Sequence, residues 1–406
     1  MGDEPTGGDA RRDQPQRLRP PPLDARGRAR PPAHRGGRDL GRAGPRGRAG
    51  RRAGAAQRRR LAARARQGAL LGGRRPDQPR GGARVRICVV GCGAVGSLFA
   101  AHLAQLDEVE AWAYDPDQAH VDAINEGGLR ISGVSDLHAR VRATADADRI
   151  PACDYGVVAT KSMHTDAAIA ATARAFAGAA VCSVQNGIGN EEALAAHCPR
   201  VIRGTTFPAG HVVEPGHVEQ DTGGRTWIGP FEPKPASMDE VRALADLLTR
   251  GGTETLAMED ARGAQWTKLI FNAATNPIGA LTGLPHGVAC DQPPVRELIT
   301  GLVDEGKAVA TALGVELDSD PDELVDHARE VAYDHKASML QDVLAERATE
   351  IDFLNGGIAR FGEQAGVPTP LNRAVWALVK GLEHRTRGAA PPGNPPRQAN
   401  EEVAKR

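Results

Sequence analysis

The chain has 406 residues, enough for two ordinary domains, and a formal net charge of zero. That balance hides an asymmetry, because residues 1–83 contain 22 Arg, no Lys and 7 acidic residues, which makes the remainder strongly acidic. No run of 18 apolar residues occurs, which excludes a membrane span, and the 6 Cys form no CxxC pair and no zinc-spaced cluster, so we predict no metal site.

Residues 1–83 contain no Val, Ile, Phe, Tyr, Trp or Cys. Such a segment cannot bury enough apolar surface to offset the entropy of ordering it, so we predict disorder. We favour a wrongly assigned start codon in a G+C-rich gene. A genuine disordered extension and an Arg-rich arm that binds nucleic acid stay open, with nucleic acid the least favoured partner. No apolar run of a signal peptide follows the basic residues, so the predicted location is the cytoplasm.

A strand, a glycine motif and a helix follow one another from residue 85. Val85–Val90 is an apolar, β-branched run that is typical of a buried parallel strand. Ser97–Gln105 has the apolar spacing of a helix. In this context G-x-G-x-x-G indicates a dinucleotide site, because its glycines allow a tight turn, close approach of the pyrophosphate and helix–strand packing. The motif comprises Gly91, Cys92, Gly93, Ala94, Val95 and Gly96.

A second predicted strand, Val109–Tyr114, ends at Asp115, 19 residues after the last motif glycine. An acid at this distance accepts hydrogen bonds from the adenosine ribose, and its charge repels a 2′-phosphate. Asp115 therefore favours NAD(H) over NADP(H). Ordinary turn chemistry in Asp115-Pro116-Asp117 is the alternative interpretation.

Further strands alternate with Ala-rich helical spacers, which predicts an α/β Rossmann domain with a doubly wound, mostly parallel sheet over residues 84–259. The predicted strands are Tyr155–Thr160, Ala180–Val184, Val201–Thr206, Thr226–Pro230 and Glu254–Met258. Polar residues end two of them, in Thr160-Lys161-Ser162 and Gln185-Asn186-Gly187, where ligands of such sheets bind. Residues 260–386 have a helical pattern and predict an all-α C-terminal domain, and the Pro-rich residues 387–406 are predicted to be disordered.

Three polar residues interrupt an apolar helix in the C-terminal half. Lys268, Asn272 and Asn276 are spaced i, i+4 and i+8, so they drift only about 80° around the helix and form one stripe. A lone Lys is usually a solvated charge, whereas a Lys aligned with two Asn on an apolar helix indicates a polar pocket. Ser338 and Glu350 are twelve residues apart, and this spacing alone favours a helix-capping Ser and a surface Glu, unless Ser338 begins its helix.

From Val85 to about Glu383 the chain resembles the ketopantoate reductase family. The resemblance rests on the glycine motif, Gln185-Asn186-Gly187, Trp266-Thr267-Lys268 with Asn272 and Asn276-Pro277, and Ser338-Met339-Leu340-Gln341-Asp342 leading to Glu350. It implies that Lys268 is the general acid and that Glu350 lies between substrate and cofactor. It also implies substrate contacts from Asn186, Asn272, Asn276 and Ser338, and cofactor contacts from Asn186, Lys161 and the loop of Gly204-Thr205-Thr206 through Gly210.

Two residues depart from the family pattern. Asp115 stands where NADPH enzymes of the family often carry a basic residue, and His286 stands where Asn is common before Gly287. The first leaves the choice between NADP(H) and NAD(H) open, and the second leaves the exact 2-ketoacid open.

The predicted reaction is the reduction of a 2-ketoacid. Hydride addition to C2 leaves an alkoxide, which Lys268 would stabilise and protonate. We expect 2-dehydropantoate as substrate and a possible homodimer as the assembly. Reduction of another branched 2-ketoacid and a non-catalytic NAD(P)-binding sensor are the alternatives, and a sensor would need neither Lys268 nor Glu350.

Overall fold

The computed structural model describes residues 84–386. Residues 1–83 and 387–406, for which we predict disorder, lie outside the described residues. The described strands are β1 (Val85–Val90), β2 (Val109–Tyr114), β3 (Leu129–Gly133), β4 (Leu137–Ala139), β5 (Arg142–Thr144), β6 (Tyr155–Val158), β7 (Ala180–Ser183), β8 (Arg200–Thr206), β9 (Ala209–Glu214), β10 (His217–Thr222), β11 (Thr226–Pro230) and β12 (Thr255–Ala257).

The α-helices of the same part of the chain fall into two groups. Five lie among the strands, namely α1 (Ala94–Leu103), α2 (Gln118–Gly127), α3 (Thr165–Thr172), α4 (Asn190–His197) and α5 (Met238–Gly251). The others follow the last strand, namely α6 (Arg262–Thr282), α7 (His286–Cys290), α8 (Pro293–Ala312), α9 (Pro321–Val331), α10 (Ser338–Leu344), α11 (Asn355–Ala365) and α12 (Pro370–Thr386).

The main sheet has eight strands in the order β12-β11-β8-β7-β6-β1-β2-β5. The six strands from β8 to β5 are parallel, and β11 joins β8 antiparallel. Because side chains alternate along a strand, Ile87 and Val89 of β1 pack into one apolar cluster and Cys88 and Val90 into another. Helices therefore cover both faces of the sheet, and the predicted doubly wound α/β fold is confirmed.

A second, four-stranded sheet has the order β4-β3-β10-β9, and our sequence analysis did not predict it. β9 exposes four consecutive residues to solvent, and the two buried residues of β10 alternate with exposed or half-buried ones, so no apolar run indicates these strands. The loop predicted from Gly204 to Gly210 is confined to Phe207 and Pro208, and the cofactor contact of this segment stays a prediction. Gly204 lies in β8, and Gly210 lies in β9, opposite Gln220 of β10.

The helical domain is built around α6, whose 21 residues are mostly buried. Pro277 lies inside this helix and cannot donate the backbone hydrogen bond that would reach the carbonyl of Ala273. The Asn355 side chain supplies the missing donor, because its Nδ2 lies 2.9 Å from the Ala273 carbonyl oxygen. The proline is therefore tolerated through a partner on α11.

The predicted all-α C-terminal domain is confirmed, while the exact division at residues 259 and 260 stays a prediction. No helix among residues 84–386 is both long and apolar enough to cross a membrane. All six cysteines are free thiols with buried side chains.

Candidate active site

The turn after β1 explains the first and the last motif glycine. Gly91 has a φ of +86°, which favours glycine at this tight turn. A Cβ on Gly96 would meet the Gly91 carbonyl oxygen at 1.9 Å, so α1 could not pack so closely on the turn. A Cβ on Gly93 would meet nothing within 4 Å, which leaves open space above the turn.

The beginning of α1 has the properties of an anion site. Its cap residue is Gly93, no side chain caps it, and its first turn contains no acidic residue. The amide N–H groups of a helix N-terminus then remain available to a phosphate, and the helix dipole favours negative charge there. The open space at Gly93 and this helix end together fit the pyrophosphate of a dinucleotide.

Asp115 lies at the tip of β2, next to the glycine turn. Its Oδ2 accepts a hydrogen bond from the Cys92 backbone N–H at 2.8 Å, and its Oδ1 accepts one from the Asp117 N–H at 2.9 Å. The carboxylate is therefore held in a fixed position at the place where an adenosine ribose would lie in this fold.

Glu350 is brought to the ends of β6 and β7 although it belongs to the helical domain. Its Oε1 accepts hydrogen bonds from the Ser162 backbone N–H at 2.9 Å and from Ser162 Oγ at 3.0 Å. Its Oε2 lies 3.4 Å from Asn186 Nδ2 and 3.9 Å from Lys161 Nζ. Four donors from the α/β domain thus surround one carboxylate of the helical domain.

Lys268 lies on α6, with its ammonium group directed at the end of β8. Nζ donates a hydrogen bond to the Thr206 carbonyl oxygen and lies 5.3 Å from the centre of the Phe207 ring. Burial lowers the pKa of Lys268 to about 8, and the negative charge of Glu350 partly opposes this change. The group remains mostly protonated at neutral pH and yet releases a proton more readily than an exposed Lys.

The two asparagines of the predicted stripe lie on the same helix as Lys268, and both are only 7% exposed. Asn272 Nδ2 is 3.5 Å from Asn186 Oδ1, so the helical stripe meets the end of β7. The structure therefore brings Lys268, Asn272, Asn186 and Glu350 to one place, where the two domains face each other.

Ser338 and Glu350 do not share a helix, because α10 ends at Leu344 and a turn separates it from α11. Ser338 is the first residue of α10, is exposed, and follows the cap residue Ala337, so the capping interpretation is wrong. The surface interpretation of Glu350 is also wrong, since this residue is 6% exposed. The substrate contact of Ser338 stays a prediction.

His286 and Gly210 stand apart from this group. His286 Nε2 lies 3.1 Å from the Val325 carbonyl oxygen on α9, and burial lowers the pKa of the imidazole. A Cβ on Gly210 would meet the Glu219 carbonyl oxygen at 2.3 Å, so pairing with β10 already explains the glycine.

Comparisons with known proteins agree with this geometry. Residues 87–233 match the family model of ketopantoate reductase PanE/ApbA, and residues 260–383 match the model of its C-terminal domain. A 2-dehydropantoate 2-reductase of Pyrococcus abyssi is 35% identical over 303 residues, which cover 74% of this chain and 98% of the relative. One of Archaeoglobus fulgidus is 32% identical over 300 residues, which cover 73% and 98%.

The chain belongs to the ketopantoate reductase family. The predicted family is thereby confirmed. Solved structures agree. A PanE/ApbA family ketopantoate reductase from Ralstonia eutropha is 31% identical, with a TM-score of 0.69, covering 75% of this chain and 100% of that chain. A D-mandelate dehydrogenase solved with NADH is 25% identical, with a TM-score of 0.67, covering 74% and 100%.

Sequence reasoning missed several residues of the active site of this ketopantoate reductase family member. Asp342 is 3% exposed in its side chain and lies 2.7 Å from Lys161 Nζ. Ser162 makes the shortest contacts to Glu350, and Phe207 covers Lys268. Asp342 ends the motif that begins at Ser338, and Ser162 ends Thr160-Lys161-Ser162, but no spacing rule connects either of them to a partner more than 180 residues away.

Proposed function

We propose that this protein reduces 2-dehydropantoate to pantoate with a nicotinamide dinucleotide. The proposal rests on one observation, that Lys268 and Glu350 lie close to the side-chain amides of Asn186 and Asn272, beside the glycine turn. When bound, the dinucleotide supplies the hydride that adds to C2 of the ketoacid. The residues named above would do the rest of the work.

Lys268 would act as the general acid. Its ammonium group stabilises the negative charge that develops on the C2 oxygen and then gives that oxygen its proton. A pKa of about 8 suits this role, because the group is protonated at pH 7 and its acidity is close to the working pH. The Thr206 carbonyl and the Phe207 ring hold the side chain in place before substrate binds.

Asn186, Asn272, Asn276 and Ser338 would orient the substrate. Amide and hydroxyl groups can bind the carboxylate and the 2-oxo group without adding charge, so they do not place a further cation beside the ammonium group of Lys268. Glu350 would keep Asn186 and Lys161 in position, and its negative charge favours the protonated form of Lys268. Lys161, Asp115 and the residues from Gly91 to Gly96 would bind the dinucleotide, whereas Gly210 would support the β9–β10 pair beside it.

For the choice of cofactor we propose NAD(H). The carboxylate of Asp115 is fixed by two backbone N–H groups at the ribose end of the site, where a 2′-phosphate would meet its negative charge. The acidic Asp117 lies two residues further on. Measurement of kcat/KM with NADH and with NADPH tests the proposal. Asp115→Asn is expected to lower the ratio of the NADH value to the NADPH value. A clear preference of the wild-type protein for NADPH would contradict it.

Reduction of another branched 2-ketoacid is the second candidate. His286 supports it, because the family commonly has the smaller Asn at this position. The imidazole borders a cavity of about 10 Å³ together with Thr275 and Gly279 of α6, so His286 would act on the substrate only through the packing of α6. A solved relative is a D-mandelate dehydrogenase.

The deciding experiment is oxidation of NADH and NADPH over a panel of 2-ketoacids, with 2-dehydropantoate, 3-methyl-2-oxobutanoate and benzoylformate as its core. We expect the highest kcat/KM for 2-dehydropantoate. The Lys268→Ala protein, purified identically, controls for contaminating host reductases. A higher kcat/KM for another acid of the panel would select the second candidate, and no turnover of any acid would contradict both.

The cytoplasmic location and the homodimer stay predictions. Fractionation of native cells tests the first. Light scattering of the purified protein at several concentrations tests the second.

A further inference from the structure

We propose that Asn190 is a positioning residue that acts on Glu350 through Ser162. It belongs to a buried chain of hydrogen bonds in which every donor points towards the next residue and the last acceptor is Glu350. The inference rests on the proposed function, because it assigns a purpose to the orientation of Glu350. Asn190 is the first residue of α4, and it touches neither the glycine turn nor the α6 stripe in any contact that the described residues show.

The chain of hydrogen bonds begins in the α/β domain. Gln185 Nε2 donates to Thr165 Oγ1 at 2.6 Å, and Thr165 Oγ1 donates to Asn190 Oδ1 at 2.9 Å. A hydroxyl group has one proton, and the amide proton of Gln185 occupies its acceptor side. The Thr165 proton therefore points towards Asn190.

The orientation of the Asn190 amide is fixed by a backbone carbonyl. One end of this amide lies 3.0 Å from the Asn186 carbonyl oxygen, which can only accept a hydrogen bond, so that end must be Nδ2. The same Nδ2 donates to Ser162 Oγ at 3.2 Å. Reversing the amide would place Asn190 Oδ1 against the Asn186 carbonyl oxygen, and neither atom can donate a hydrogen bond.

Asn190 also decides where the Ser162 proton points. The Ser162 hydroxyl has two acceptors in reach, the Asn186 carbonyl oxygen at 2.9 Å and Glu350 Oε1 at 3.0 Å. Asn190 donates to the hydroxyl oxygen and to the competing carbonyl, and the negatively charged carboxylate is the stronger acceptor, so the hydroxyl proton points towards Glu350. Each donor in the chain thus points towards Glu350.

Burial makes this arrangement effective. Gln185, Thr165, Asn190, Ser162 and Glu350 are 4%, 1%, 1%, 3% and 6% exposed. Hydrogen bonds in such surroundings are stronger than in water, and aligned donors polarise one another. With Oε1 held by Ser162, Glu350 is left with Oε2 directed at Asn186 and Lys161, which we assign to the substrate and to the dinucleotide.

The test is a double-mutant cycle between Asn190→Ala and Glu350→Gln. We expect Asn190→Ala alone to lower kcat by roughly tenfold to a hundredfold, the worth of one hydrogen bond to a charged group. Its dissociation constant for the dinucleotide should stay within about twofold. In the Glu350→Gln protein the same substitution should change kcat by less than about twofold, because the negative charge towards which the donors are aligned is gone.

Two variants on one helix provide a matched comparison. Thr165→Val removes the hydroxyl that donates to Asn190, and Thr172→Val removes an equally buried hydroxyl that bonds only within α3. We expect Thr165→Val to lower kcat severalfold and Thr172→Val to leave it unchanged. If Asn190→Ala does not fold, the cycle with Glu350→Gln is run with Thr165→Val instead.

Thermal unfolding needs no substrate and is measured for the wild-type protein, for Asn190→Ala, for Glu350→Gln and for the double variant. The Tm loss of the double variant should be smaller than the sum of the two single losses. Effects on kcat and Tm that simply add would overturn the proposal. A wild-type protein that turns over no 2-ketoacid would contradict the proposed function instead, and the Tm cycle would still decide whether Asn190 is coupled to Glu350.

Discussion

Lys268 places an ammonium group between a backbone carbonyl and an aromatic ring, one helical turn from a buried amide. We predict that Lys268→Ala lowers kcat by about two to four orders of magnitude, the usual contribution of a positioned general acid. Dinucleotide affinity should change little, because the glycine turn is untouched. Steady-state kinetics and titration of dinucleotide binding check both statements, and a near-normal kcat would show that another group supplies the proton.

The acidity of Lys268 has a measurable consequence. Its pKa is lowered to about 8, and ketoacid reduction needs the protonated form. We therefore expect kcat for reduction to fall about tenfold for each pH unit above 8, while oxidation of the hydroxyacid rises through the same range because it needs the base form. Stopped-flow rates between pH 6 and 10 measure both directions. A reduction rate that stays flat to pH 10 would exclude Lys268 as the titrating acid.

At the scale of helices, Pro277 and Asn355 form a pair. We predict that Asn355→Ala lowers the free energy of unfolding by roughly 1–3 kcal/mol, because the Ala273 carbonyl loses its buried donor. Adding Pro277→Ala restores a backbone N–H that can reach the same carbonyl, so the double variant should recover part of the loss. Urea unfolding measures these differences, and no recovery would show that the Ala273 carbonyl is not the cause.

The helices and strands also show how much of the structure the sequence alone could predict. The β1 strand, the glycine turn and the Lys268 stripe follow from local periodicity, and the structure has all three. The pair of Ser162 and Glu350 could not be predicted, because 188 residues separate its members and no local pattern relates them. The second sheet was missed because its strands β3 and β10 are half exposed and because 87 residues separate the paired Arg130 and His217.

For the whole molecule, residues 1–83 are expected to be dispensable. They contain no Val, Ile, Phe, Tyr, Trp or Cys, and the Pyrococcus abyssi relative is covered over 98% of its length by 74% of this chain. We predict that a chain beginning at Arg84 folds and has the kcat and KM of the full chain. Side-by-side kinetics and Tm values check this, and loss of most activity would assign a role to the N-terminal residues.

The hydrogen bond from the Ser162 backbone N–H to Glu350 makes this amide a reporter of the separation of the two domains. The Ser162 N–H belongs to the α/β domain, and its acceptor belongs to the helical domain, so its proton can exchange with deuterium only when the two domains part. Dinucleotide and hydroxyacid together would hold the domains closed, and we expect them to slow exchange at Ser162 by roughly tenfold or more. The Val241 amide, bonded within its own domain to the Ser237 carbonyl oxygen, should slow far less. Equal slowing at both amides would mean that ligands rigidify the whole protein, whereas a selective effect would give the opening rate of the active site directly, without turnover.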